Sequence, residues 1–191
     1  MRPLLLLPLF VAACSSSNPT YPTVDGDAGA DASVAPAQGS ASVVIVPGAN
    51  GSASCPVALP DNTWEAGGTG GVVRDGAAEQ GDTVLVSCRV APKPDGTFDV
   101  TGAVEKEGKG SIAVKGTVSL DASGTLQGTY ALAGGLGQWT ENDCTYTFVV
   151  SGGVAAGRLW IDLVCPKASD ASHGTVCDAE AQIRLENCGQ E

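Results

Sequence analysis

Few residues of this 191-residue chain offer chemistry: seven cysteines, one histidine, and carboxylates and tryptophans set on alternating positions. Cys55, Cys88, Cys144, Cys165, Cys177 and Cys188 are spread along the body of the chain, and Cys14 stands apart near its start. A structural zinc site wants four grouped ligands, usually with a C-x-x-C pair. No C-x-x-C occurs and His173 is the sole imidazole, so no metal is expected. The six body cysteines read instead as structural disulfides. Cys165 and Cys177 bracket the segment PKASDASHGTV between two candidate antiparallel strands and are expected to pair, with Cys144–Cys165 as the competing bridge. Cys188 falls out of phase with the inner residues of its strand, which places its bridge at a sheet edge or rim. His173 sits in a Ser/Asp/Gly segment and reads as a solvated loop residue rather than a base. No G-x-S-x-G elbow, H-E-x-x-H helix or P-loop occurs, so no cofactor and no catalytic residue is expected. Asp162 alternates with Trp160 on one strand face, an arrangement that suits a sugar as well as a plain solvated wall.

The elements that must carry these residues are strands. Two-residue alternation recurs along the chain, broken by turn chemistry such as PKPDG, EGKG, DASG and SGGVAAG. Segments 42–46, 83–90, 97–106, 111–120, 125–133, 144–150, 158–165 and 177–188 are expected as strands, with weaker ones near Trp64 and Val72 to Arg74. Val84, Val86, Cys88 and Val90 share one inner row, and Leu159, Ile161, Leu163 and Cys165 another. Asp178, Glu180, Gln182, Arg184 and Glu186 alternate outward. Clean in–out alternation fits an antiparallel sheet with one solvated face. The expected fold is all-β: a disulfide-braced antiparallel sandwich or meander-rich barrel of about eight to ten strands.

Three glycines interrupt the inner rows. Gly102, Gly116 and Gly128 occupy inward positions on successive strands, and hairpin counting about Lys109 sets Gly102 opposite Gly116. An interior glycine marks a bend, a bulge or the close approach of another group. Aligned, the three form a trough that an aromatic such as Trp139, Trp64 or Tyr130 fills, or that takes a small apolar ligand.

Charge narrows the partners. Ten Lys and Arg face twenty-one Asp and Glu, a formal net charge of −11, and the cations are dispersed. Nucleic acid is therefore excluded as a partner, since it requires concentrated positive charge. Residues 15–40, SSSNPTYPTVDGDAGADASVAPAQGS, hold almost nothing to bury and read as a flexible linker. Its alternating Asp25, Asp27 and Asp31 lack the closing glutamate and helical frame of a calcium loop. Residues 41–191 are then a single β domain, with enough chain for a real core.

The first residues carry an address. Arg2 precedes the short apolar run Leu4 to Ala13, which is too brief for the roughly 20 residues of a membrane span and suits a secretory signal. Its end, Val11-Ala12-Ala13-Cys14, resembles the lipobox of bacterial lipoproteins. That resemblance implies that residues 1–13 are a cleaved signal peptide and that Cys14 is the lipidated first residue of the mature chain. It implies membrane attachment through the N-terminal lipid, and Ser15 after the cysteine points to the outer membrane. Setting Cys14 aside also leaves an even number of cysteines for disulfides. The function expected is that of a lipid-anchored envelope or surface protein whose non-catalytic β domain binds a protein partner or a small apolar ligand. A carboxylate-dependent hydrolase or a carbohydrate-binding module is the alternative. A third reading is an adhesion or inhibitor-like module presenting the tryptophan loops at 62–71 and 134–143.

Overall fold

The computed structural model describes residues 35–47, 55–57, 62–68, 71–133, 137–149 and 153–190. The leader, Cys14 and residues 15–34 of the expected linker lie outside the described residues. Twelve strands follow one another: β1 (Gln38–Val46), β2 (Thr63–Ala66), β3 (Val73–Arg74), β4 (Ala77–Glu79), β5 (Asp82–Pro92), β6 (Phe98–Lys106), β7 (Gly110–Val118), β8 (Leu126–Leu132), β9 (Gln138–Phe148), β10 (Val154–Ala155), β11 (Arg158–Asp170) and β12 (Thr175–Glu186). All twelve belong to one antiparallel sheet, ten of them in the order β2-β1-β12-β11-β9-β8-β7-β6-β5-β4, with β10 added to β11 and β3 to β1. The sheet curls almost closed, so the fold is a barrel rather than a sandwich.

Why the strands form is visible in their periodicity. β12 alternates buried Cys177, Ala179, Ala181, Ile183 and Leu185 with more exposed residues between them. β11 does the same with Leu159, Ile161, Leu163 and Cys165, and pairs β12 in register from Leu159↔Leu185 to Cys165↔Ala179. The inner rows of β5 to β9 complete one continuous hydrophobic core. With a side-chain period of two, a one-residue slip would turn each of these rows to water, so burial itself holds the register.

Closure is achieved by short segments and not by a full strand pair. β3 pairs β1, β4 pairs β5, and the Asp75–Gly76 turn joins them across the gap. Asp75 N donates to Ala37 O, Gly76 N donates to Val84 O, and Asp75 Oδ1 accepts from Val86 N at 2.8 Å. Further along β5 the C-terminal tail takes over: Val90 N donates to Gly189 O and Gly189 N to Cys88 O. The Ala156–Gly157 turn adds Gly157 N to Val90 O. The Cys88–Cys188 disulfide staples this seam.

Several expectations need correction. The sheet begins at Gln38, ahead of the boundary expected at residue 41. β9 begins at Gln138, so residues 138–143 of the expected tryptophan loop are strand. β11 continues to Asp170 through a register shift between Cys165 and Ala168. Pro166 sits in that irregularity, where a residue without an N–H costs no ladder bond. Leu120, expected inside, lies beyond the end of β7 and is 66% exposed.

Candidate functional site

The expected trough dissolves on the true register. Gly102 pairs Val114, and Val114 pairs Gly128, while Gly116 lies between Val100 and Leu126. The hairpin count was out by two residues because the β6–β7 turn centres on Gly108, with Lys106 paired to Gly110. Gly102 and Gly128 therefore flank one valine, and Gly116 sits one row away.

Each position is filled. A Cβ on Gly102 would collide with Leu185 Cδ1, and one on Gly116 would stand 2.8 Å from Leu126 Cδ2. Gly116 also has φ +148°, which disfavours any side chain. A Cβ on Gly128 would stand 2.9 Å from Cys144 Sγ, Cys165 Sγ and Tyr130 Oη alike. Trp139 is fully buried, packs on Gly137, and donates from Nε1 to Thr175 Oγ1 at 3.2 Å. Trp64 Cδ1 and Nε1 lie over Gly110, and Phe148 Cδ1 lies over Gly153. Aromatics do cover glycines in this barrel, but at Gly110, Gly137 and Gly153 rather than along the expected row.

The six body cysteines are paired as Cys55–Cys177, Cys88–Cys188 and Cys144–Cys165. The expected Cys165–Cys177 bridge is thus replaced by the competing one. After the register shift Cys177 faces Ala168, while Cys165 faces Ala179. Cys188 lies just past β12, at the seam, as its phase implied. Glu141, Cys144 and Cys165 are grouped closely, but both sulfurs are spent in a disulfide and offer no thiolate to a metal. The Tyr130 hydroxyl donates to Cys165 Sγ at 2.9 Å, and burial pushes its phenol pKa up.

Two polar clusters escaped the sequence reading. Lys106 shares the parity of Val100 and Val104, so its side chain turns inward and is 6% exposed. Its ammonium meets Glu79 Oε2 at 3.3 Å and Gln80 Oε1 at 3.4 Å. Glu79 in turn accepts from Gly67 N. Parity alone could have flagged Lys106, since a cation on an inner row must find a counter-charge. At the β11–β12 tip, Asp170 is buried and accepts from His173 Nδ1 at 2.7 Å and from Ser172 N at 2.7 Å. The His173 hydrogen bond is the main reason the Asp170 carboxyl titrates below its ordinary range. His173 is solvated, as expected, yet tethered.

The surface with the most chemistry is the outer wall of β1, β12 and β11. Their registers set three cross-strand rows side by side: Ser40–Arg184–Trp160, Ser42–Gln182–Asp162 and Val44–Glu180–Val164. Gln182 Nε2 donates to Asp162 Oδ1 at 2.9 Å. Arg158 lies over the Trp160 ring, 5.2 Å from its centroid. Trp160 Nε1 and Arg184 Nε are buried atoms with no acceptor. Val44 and Val164 are 38% and 43% exposed, and a groove of about 240 Å³ runs past them along Ser42, Asp162, Glu180 and Gln182. This wall presents stacking, aliphatic and hydrogen-bonding groups together, which is the equipment of a binding surface.

No protein-family model, curated protein or solved structure matches this chain.

Proposed function

We propose that the chain is a lipid-anchored envelope or surface lipoprotein of the outer membrane, whose non-catalytic barrel domain binds a ligand or partner through its outer wall. The observation that carries the anchoring half is the cysteine arithmetic. All six body cysteines are consumed in three disulfides, leaving Cys14 alone, at the end of the lipobox-like segment. Disulfides on this scale belong to an oxidising compartment. The binding half rests on where space remains. The glycine positions inside are filled by Leu185, Leu126 and the Cys144–Cys165 bridge, whereas the β1–β12–β11 wall keeps a groove lined by Ser42, Asp162, Glu180 and Gln182.

The test of the anchor is Cys14→Ser in a bacterial host labelled with a radioactive fatty acid. The parent incorporates label and partitions into the detergent phase; the variant is expected to do neither. Equal labelling of the two would overturn the lipoprotein reading.

A carbohydrate-binding module is the reading of the ligand that one observation favours. Trp160, Asp162 and Gln182 lie on adjacent positions of one face, with the amide and carboxylate already hydrogen-bonded to each other.

A further inference from the structure

The outer wall of β1, β12 and β11 continues onto β2, where Glu65 pairs Ser42 and Thr63 pairs Val44. One row therefore runs Glu65–Ser42–Gln182–Asp162, and the next Thr63–Val44–Glu180–Val164. The groove of about 240 Å³ lies across both, with Ser42, Val44, Asp162, Val164, Glu180 and Gln182 in its lining. A smaller hollow of about 50 Å³ shares Ser42 and Gln182 with it and reaches Ser40, Glu65 and Gly68. Together they make one track with carboxylates at both ends. Trp160 and Arg184 lie one row away and line neither part.

The charge on this track is all of one sign. Asp162 and Glu180 are diagonal neighbours across the β11–β12 ladder, roughly 7–8 Å apart, so one small cation can meet both. Gln182 spends an amide proton on Asp162 Oδ1, while Glu180 has no ion pair and no side-chain hydrogen bond among the described residues. No Lys, Arg or His lines either part. A primary ammonium is the complement, since it brings three donors, no acceptor and the missing charge. A second copy is a poor occupant, because each chain carries a formal −11 and would set carboxylate against carboxylate.

The remaining residues define the body that carries the ammonium. Val44 and Val164 stand on either side of Glu180 and are exposed, so they take C–H surface. Ser42 and Gln182 suit hydroxyl groups, which the stem of a lysine side chain lacks. All three strands have partners on both sides, so the face offers no free edge to an added strand. The groove is small by the standard of ligand pockets, and suits a short run of sugar rings better than the roughly 800 Å² a protein partner covers.

We propose that this track binds an oligosaccharide of amino sugars with free amines, such as β1→4-linked glucosamine. One ammonium sits between Asp162 and Glu180, and its ring packs C–H surface on Val44 and Val164. The next unit lies over Ser42 and Gln182 towards Glu65. This rests on the reading that the outer wall binds a saccharide.

The test is nuclear magnetic resonance of the full chain labelled with nitrogen-15, at about pH 6, where carboxylates are ionised and amines protonated. The backbone N–H signals of Ser42, Val44, Asp162, Val164, Glu180 and Gln182 are followed. Four probes are titrated: a glucosamine trisaccharide, its fully N-acetylated counterpart, cellotriose, and N-acetyl-lysine amide. The glucosamine trisaccharide is expected to move these signals saturably. It should bind about tenfold more tightly than either uncharged trisaccharide, the factor that one charge-assisted hydrogen bond carries. Glu180 is exposed, so Glu180→Gln removes its charge and keeps its shape without touching the core. That variant is expected to bring the glucosamine trisaccharide down to the level of cellotriose and to leave cellotriose unchanged. Equal binding of the three trisaccharides by the parent overturns the amino-sugar proposal and leaves the saccharide reading standing. Undiminished glucosamine affinity in the Glu180→Gln protein overturns the proposal as well. So does N-acetyl-lysine amide binding as tightly as the glucosamine trisaccharide, which would make the track a seat for a basic protein side chain. Unmoved signals with every probe overturn the proposal and the saccharide reading together, and normal lipidation of Cys14 then leaves the anchor standing.

Discussion

At Gly128 a single added carbon meets side chains that cannot move aside. A Cβ there would stand 2.9 Å from both sulfurs of Cys144–Cys165 and from Tyr130 Oη, inside the distance that real side chains tolerate. The bridge ties β9 to β11 and is fully buried, so it has no free rotamer into which to retreat. Overpacking a tight core costs ~1–3 kcal/mol, and the upper half of that range applies where the obstacle is covalently fixed. Replacing glycine stiffens the unfolded chain and returns ~0.4–1 kcal/mol. The net expectation for Gly128→Ala is a loss of about 1–2 kcal/mol. For a domain of this size that is a fall in Tm of about 2–8 °C. Gly102→Ala meets the flexible tip of Leu185 instead and is expected to cost less. The assay is urea unfolding followed by tryptophan fluorescence under non-reducing conditions, repeated in a Cys144→Ala/Cys165→Ala background. Removing the sulfurs should remove most of the penalty, leaving an interaction energy of about 1 kcal/mol in the double-mutant cycle. A Gly128→Ala protein as stable as its parent, or an unchanged penalty without the sulfurs, would refute the steric account.

Further outcomes are open to direct measurement. Non-reducing peptide mapping should return Cys55–Cys177, Cys88–Cys188 and Cys144–Cys165, with no reactive thiol among those six after denaturation. Cys88→Ala/Cys188→Ala opens a loop of sequence separation 100 and should cost up to about 4.7 kcal/mol on the chain-entropy view. Glu79→Ala strands the Lys106 ammonium in the interior and should cost about 3 kcal/mol, whereas Lys106→Met should cost far less; equal losses in denaturation midpoint would contradict this. Asp170 has its folded-state pKa depressed, chiefly by the His173 hydrogen bond. Its stabilisation is therefore present above the unfolded value of about 3.9 and lost as pH falls through the folded one. Asp170→Asn should lower the urea midpoint at neutral pH and flatten the acid limb of the stability profile.

The inner rows were readable because each rests on a period of two that only burial explains. Val84, Val86 and Val90 on β5 and Leu159 to Cys165 on β11 are buried where alternation placed them. Hairpin registers were less readable, because they depend on turn geometry that composition does not state. The shift in the β6–β7 turn moved Gly102 from Gly116 to Val114 and emptied the trough hypothesis. Pro166 hid the second half of β11, and with it the true neighbours of Cys177. The two-residue and three-residue strands β3 and β4 are too short to show any period. The outer wall was legible as two separate rows, Trp160 alternating with Asp162 on β11 and Glu180, Gln182 and Arg184 on β12. The third column comes from β1, and no pattern local to one strand could set the three side by side.

The seam on β5 has a bearing on how the chain comes to be folded at all. One side of the gap is bonded by residues 75 and 76, and the other by residues 157 and 189. The meander from β5 to β9 joins strands consecutive in the chain, so its pairings can form as each hairpin becomes available. The central pairing β1–β12 cannot, because it joins the first strand to the last. Until the final residues arrive, β1 and β5 both present unpaired main chain, which is a template for joining another molecule. Long-range pairings of this kind also slow folding. The sheet therefore stays open until the last strand is available. The chain's tail performs three tasks at once, adding β12, bonding Gly189 to β5 and bringing Cys188 to Cys88. Truncation of the last few residues would take away Cys188 and Gly189, and with them the tail's half of the seam, while removing almost none of the core.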